Sequence, residues 1–341
     1  MTTPRVTIKD VAALAGVSKG AVSLAFNHKP GVSEATRERI FRAARELGWA
    51  PNATARTLAG SRVDTVGLAV CRPARLLGLE PFYMEFVSGV ESVLTEHSCS
   101  LLLRLVRTVE EEAGLLESWW RGRSIGGSIL VDFRADDPRV APVRGLGIPA
   151  VAVGHPSLTG GLTSVWTDDA TAVTEAVRYL AALGHRRIAR VGGAAALGHT
   201  SIRTAAFDGA ARALGLAGAR QVATDFSGDA GARATRSLLT APPADRPTAV
   251  VYDNDIMAVA GLSVASEMGL RVPADVSLLA WDDSQLCRLT HPTLSAMSHD
   301  VHGFGAEVAR TLFGVISGEG AGSHPVATPV LVPRGSTAPP G

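Results

Sequence analysis

Residues 7–60 read TIKDVAALAGVSKGAVSLAFNHKPGVSEATRERIFRAARELGWAPNATARTLAG, and this stretch decides how the chain begins. Ile8, Val11, Ala12 and Leu14-Ala15 recur with the one-sided spacing of an amphipathic helix. Thr7 stands three residues before Asp10, a capping-box pattern that predicts the helix start. Gly16 permits a sharp turn, and Ser18 can cap a second helix running through Val22 to about Phe26. A third helix is expected from Ser33 to Leu47, with Ile40, Phe41, Ala44 and Leu47 facing the first two and Gly48 ending it. Two short helices around a glycine turn fit a helix-turn-helix, whose second helix enters the major groove of DNA. An ordinary helical hairpin would give the same pattern.

Charge distribution separates these readings better than the overall net charge of +1. Residues 1–62 hold ten Lys/Arg against four acids, whereas the rest of the chain holds 23 basic against 28 acidic residues. A basic head on an acidic body is the footprint of a protein that docks one end onto phosphates. Cys71, Cys99 and Cys287 are widely spaced, which suggests neither a disulfide framework nor a zinc site. The N-terminus MTTPRVTIKD lacks an apolar signal core and no apolar run approaches membrane-spanning length, so a cytoplasmic protein without membrane contact is expected.

From Val63 the texture changes to short apolar strands alternating with helical segments. Strands are expected at Thr65–Val70, Ser100–Leu105, Gly127–Val131, Ala150–Val153, Ile188–Val191, Ala249–Tyr252 and Val276–Ala280. Such alternation predicts an α/β body of doubly wound parallel sheets.

The quoted stretch resembles the lactose/galactose repressor (LacI/GalR) family of transcription regulators. Thr7-Ile8-Lys9-Asp10-Val11-Ala12, Ala15-Gly16-Val17-Ser18, Ala21-Val22-Ser23, Val32-Ser33 with Thr36-Arg37, and Pro51-Asn52 leading to Leu58-Ala59 carry the likeness in register. In the body, Gly184-His185-Arg186-Arg187-Ile188, Asp253 to Ala258, Val272 to Ser277 and Trp281-Asp282-Asp283 match further landmarks. The tail Leu331–Ser336 coincides with a thrombin cleavage sequence, but the segment onward from Arg334 resembles the family's ending and reads as native. The resemblance implies a helix-turn-helix DNA-binding domain at 1–50, a hinge helix at 51–62, and a two-lobed effector-binding and dimerisation domain at 63–341, similar to type I periplasmic binding proteins.

For the DNA end, the resemblance places Thr7, Ser18, Lys19, Gly20, Ala21, Ser23, Asn27, His28, Ser33 and Thr36 at phosphates or bases, and Asn52, Ala55 and Leu58 in the hinge. Lys19 can reach guanine O6/N7 or a phosphate, and Ala21 can offer apolar contact to a thymine methyl. Leu58 would wedge into the minor groove. The family commonly has larger polar residues at Gly20 and Leu24, so one usual guanine reader is missing. A symmetric homodimer on an approximately palindromic double-stranded operator is implied.

For the effector end, Phe82 and Tyr83 match an Asn-Pro-aromatic-aromatic loop in which Glu80 replaces Asn. Arg203 matches a ligand-binding Arg, Phe226 an aromatic that stacks on a ring, and Asp255 and Asp282 acceptors for hydroxyl or N–H groups. Such a set suits a sugar, and a purine could use it too. Asp255 and Asp282 could instead cap helices, and Arg203 could serve a structural ion pair. Gly154 falls where some relatives carry an acidic ligand residue.

Other classes fit less well. Gly193–Gly198 lacks the spacing of a nucleotide-binding glycine loop, and the Asp253/Asp255 and Asp282/Asp283 pairs lack histidines at ligand spacing. No cofactor, metal or catalytic residue is expected. A solute-binding protein would need a signal peptide and no basic head. The reading is a ligand-responsive transcription regulator of carbohydrate genes, a purine-responsive regulator being the alternative.

Overall fold

The head and the body are two separate units, Met1–Val63 and Asp64–Gly341. The computed structural model describes residues 6–26, 29–49, 64–73 and 77–341. Asn27, His28 and the expected hinge with Asn52, Ala55 and Leu58 lie outside the described residues.

In the head, α1 (Ile8–Ala15), α2 (Lys19–Phe26) and α3 (Glu34–Glu46) pack around Val11, Val22, Ala25 and Ile40. The box at the start of α1 closes from the acidic side: Asp10 accepts both the Thr7 N–H and the Thr7 hydroxyl, each at 2.7 Å. The capping box expected from Thr7 and Asp10 is thus formed. Gly16 takes the left-handed conformation, φ +65°, that the turn requires. Ser18 Oγ accepts the Ala21 N–H at 3.1 Å and caps α2. Arg39 Nε donates to the Ala15 carbonyl at 3.0 Å, fastening α3 to the end of α1.

The body holds two six-stranded sheets. The first is ordered β2 (Ser100–Leu105), β1 (Thr65–Val70), β3 (Gly127–Leu130), β4 (Ala150–Val153), β5 (Ser164–Trp166) and β11 (Ser323–Pro325), all parallel. The second runs β7 (Arg220–Ala223), β6 (Ile188–Gly192), β8 (Ala249–Tyr252), β9 (Ser277–Trp281), β10 (Ser295–Ser298) and β12 (Val330–Val332), with only β12 antiparallel. Strands β3, β6, β8 and β9 are buried along their whole length, as strands covered on both faces should be. The chain passes between the lobes three times: after β5, after β10, and between β11 and β12. The tail is woven into the second lobe, where Ser336 is buried, accepts the Ser295 N–H at 2.8 Å and donates to the Leu278 carbonyl at 2.6 Å.

The second passage delivers α12 (Val301–Ser317) onto α4 (Pro81–Glu96) in the first lobe. Their backbones touch. A Cβ on Gly89 would lie 1.9 Å from the His302 carbonyl oxygen, and one on Gly305 would lie 2.2 Å from that of Phe86. Gly89→Ala should therefore force the helices apart and cost about 1–3 kcal/mol, as overpacking does. Gly114→Ala, on the exposed face of α5 (Val109–Arg121) with nothing within 4 Å, should be neutral or stabilising. Urea denaturation of both variants checks the contrast; equal effects would refute the close crossing.

Candidate functional sites

A cavity of about 360 Å³ lies where the carboxyl ends of both sheets converge. Its lining contains all six residues singled out for the effector end, Phe82, Tyr83, Arg203, Phe226, Asp255 and Asp282. It also contains Arg72, Glu80, Asp132, Asp169, His199 and His299. Arg72 and Asp132 stand two residues beyond β1 and β3, at the carboxyl ends of strands where such sheets gather ligands.

Lobe one supplies a knot of charge. Arg72 donates to Asp132 through Nε at 2.9 Å and Nη2 at 3.2 Å, and the buried Tyr83 hydroxyl donates to the same carboxylate at 2.7 Å. Burial alone would raise the Asp132 pKa, but the Arg72 charge holds it well below the usual carboxylate range. Tyr83 is thereby committed inside the protein. Glu80 immediately precedes α4 without capping it, 3.5 Å from Arg72. Burial pushes the Glu80 carboxyl up to about 7 against the pull of Arg72, with Asp132, Asp282 and Asp255 adding to the rise.

Lobe two supplies the opposite wall. Arg203, on α8 (Gly198–Ala213), donates to Asp169 at 3.2 and 3.4 Å and to the Asp253 carbonyl at 3.2 Å. Its guanidinium lies 3.9 Å from the centre of the Trp281 ring, so it does make a structural ion pair while lining the cavity. Neither carboxylate candidate caps its helix. Asn254 caps α10 (Asp255–Glu267), leaving Asp255 with Oδ1 on the Ile256 N–H at 2.7 Å. Ser284 caps α11 (Gln285–Leu289), and Asp282 instead meets His299 Nε2 at 3.0 Å. Burial and the charge of Asp282 raise the Asp255 carboxyl to about 6.

The aromatic residues are walls more than open platforms. The Arg72 guanidinium covers Phe226 at 4.8 Å, and the tip of that ring abuts Gly193, where a Cβ would stand 1.8 Å away. Phe82 stacks on Phe86 and on His299, with centroids 6.1 and 6.2 Å apart. Gly154 lines the cavity with open space where a side chain would be.

In the head, Lys19 and Gly20 are exposed at the start of α2, while Ala21 and Ser23 are half-buried. Ser33 and Thr36 hydrogen-bond to each other through their hydroxyls at 2.9 Å. Lys19 therefore has a long side chain at the end of the helix that would enter a groove.

Comparison with known proteins agrees with both ends of the chain. Residues 7–52 match the bacterial regulatory proteins of the lacI family, and residues 177–337 match a periplasmic binding protein-like domain. The HTH-type transcriptional regulator CelR of Thermobifida fusca is 35% identical over 92% of this chain and 93% of its own. The chain belongs to the LacI family. Its transcriptional repressor relative CytR of Escherichia coli K12 is 30% identical over 97% of this chain and 96% of its own. Among solved structures, a lac repressor dimer bound to operator and an anti-inducer superposes with TM-score 0.87 at 26% identity, covering 98% of this chain and 99% of that one. A CelR–cellobiose complex does so with TM-score 0.72 at 32% identity, covering 97% and 100%. As a LacI-family member the chain is a DNA-binding transcription regulator with an effector-binding body, and not an enzyme. Among the described residues, no helix is long and apolar enough to cross a membrane.

The raised Glu80 carboxyl has a measurable consequence. An acid whose folded pKa exceeds its unfolded value near 4.5 binds its proton longer when folded, so stability falls as pH rises through that window. Between about pH 5 and 8 the native protein should lose on the order of 2–3 kcal/mol relative to Glu80→Gln. Glu112, raised to about 7 by burial despite Arg139, contributes in both proteins and cancels in the difference. Urea denaturation across that pH range checks this, and parallel pH curves would contradict it.

Proposed function

We propose that this protein is a carbohydrate-responsive repressor that acts as a cytoplasmic homodimer on an approximately palindromic operator. The observation that carries the reading is the polar character of the cleft. Glu80 and Asp255 present carboxylate oxygens without a hydrogen-bond partner, and Asp282 lines the same cavity, beside a Phe82 ring stacked on Phe86 and His299 and a Phe226 ring covered by Arg72. Carboxylates accept from the hydroxyls of a polyol, whereas a flat base needs an open ring to stack on. The kinship with CelR, solved with cellobiose, supports the same choice.

The ligand acts by touching both lobes, so its binding free energy depends on the lobe angle. That dependence is a coupling free energy, and operator must in turn change ligand affinity by the same factor. Effector selection by the cleft and operator selection by α2 are then separable by mutation.

Anisotropy of labelled DNA fragments flanking the gene, at two salt concentrations with sugars and nucleosides added, tests the reading. Operator affinity should change with a sugar, and Asp282→Asn should shift the midpoint of that response at least tenfold. A response to nucleosides alone would establish the purine-type reading. Lys19→Ala should lower operator affinity by about 1–3 kcal/mol, the worth of one base contact. Unchanged affinity at both salts would remove Lys19 from the DNA contacts.

A further inference from the structure

Three polar atoms of residues lining the cleft are buried without a hydrogen-bond partner: Glu80 Oε1, Asp255 Oδ2 and His299 Nδ1. Glu80 is 7% exposed and Asp255 2%. The other nitrogen of His299 lies 3.0 Å from Asp282 Oδ1. The two carboxylate oxygens are acceptors that require donors.

The neighbouring cations are already engaged. Arg72 gives Nε and Nη2 to Asp132, leaving Nη1 at 3.5 Å from Glu80, an ion-pair distance too long for a good hydrogen bond. Arg203 commits three of its five N–H groups to Asp169 and the Asp253 carbonyl and lies over Trp281. Among the described residues, no three His, Cys, Asp or Glu side chains are grouped to hold a metal ion. Glu80, Asp255 and Asp282 also disfavour one another's charge. The lining thus has unmatched acceptors and surplus negative charge, and the compensation must arrive with the ligand or as protons.

We propose that the effector is an amino sugar, its ammonium group seated against Glu80 and Asp255. An ammonium brings three donors and one positive charge on a single atom, whereas a hydroxyl brings one donor and no charge. A sugar phosphate or uronic acid would add acceptors and negative charge where both are in excess, and is disfavoured. This proposal rests on the carbohydrate reading above and narrows it.

Isothermal titration of the full-length chain at pH 7 with three disaccharides of one skeleton tests it. They are cellobiose, the β-1,4-linked glucosamine dimer and its N,N′-diacetyl form, with glucosamine and glucose as the monomer pair. The amine should bind at least tenfold more tightly than its neutral counterpart, and acetylation should abolish the advantage. In Glu80→Gln, with its fold checked by circular dichroism, the amine-to-hydroxyl affinity ratio should fall toward one. Equal or tighter binding of cellobiose, glucose or the acetylated dimer would overturn the ammonium while leaving the carbohydrate reading in place. An unchanged ratio in Glu80→Gln, or no binding by any amine, would also overturn it. In the operator-binding assay above, a response to nucleosides alone would overturn both.

Discussion

A carboxylate taken out of water must find a cation or keep a proton, and the body of this protein is arranged around that requirement. Arg139 meets Glu112 and Asp137, both at 2.7 Å, and closes one side of the first lobe. Arg190 holds Asp253 through Nε at 2.8 Å on the inner wall of the second. Arg72 with Asp132 and Arg203 with Asp169 line the cleft itself. Each pair fixes a side chain that a less constrained loop would leave mobile. Removing one partner would strand a buried charge, at a cost of about 3–5 kcal/mol. Against that background of paired groups, Glu80 and Asp255 stand out.

Backbone conformation concentrates at the same place. Six described non-glycine residues have positive φ, and three of them, Asp132 (+55°), Phe226 (+69°) and Asp282 (+62°), line the cavity just beyond β3, β7 and β9. The left-handed region is unfavourable for side chains with a Cβ, so such positions persist only where surroundings hold them. Here the holds are visible. Asp132 is pinned by Arg72 and Tyr83, Phe226 by the Asn254 side chain on its carbonyl at 3.0 Å, and Asp282 by His299. The strain turns these three side chains toward the cavity.

Much of this was legible in the sequence, and the rest was hidden for physical reasons. The three head helices follow from Gly16, Ser18 and the apolar spacing, because helix ends are encoded locally. Strands such as Thr65–Val70 and Ala249–Tyr252 appear with their expected limits because buried parallel strands read as apolar runs. Ser164–Trp166, Arg220–Ala223 and Ser323–Pro325 were not anticipated; they are short and have too few apolar residues to make such a run. Ser295–Ser298 is buried yet carries two serines, whose hydroxyls the tail engages or leaves half-buried. The six effector residues share one cavity, yet Arg72, Asp132, His199 and His299 went unseen as ligand-side groups. Their meaning depends on partners dozens of residues away, brought near only by the fold. The Gly193–Gly198 run has a reason no motif records: Gly193 admits the Phe226 ring, and Gly198 admits Leu158.

The contacts that cross between the lobes show how a small ligand can influence so large a body. The Gly198 N–H donates to the Phe133 carbonyl at 2.7 Å, and the Arg72 guanidinium of lobe one rests on Phe226 of lobe two. Both depend on the lobe angle, because one partner belongs to each sheet. A ligand between Glu80 and Asp255 would draw positive charge toward the acids that Arg72 now faces, and would compete with that guanidinium for Glu80. It could therefore loosen the Arg72–Phe226 contact or tighten the walls around itself. The balance depends on how its charge is shared between Glu80 and Asp255. A ligand shifts an equilibrium only by its differential affinity for the two states. The sign of the response is thus decided by whether the lobe angle seen here, with Gly198 on Phe133, is the one the ligand prefers.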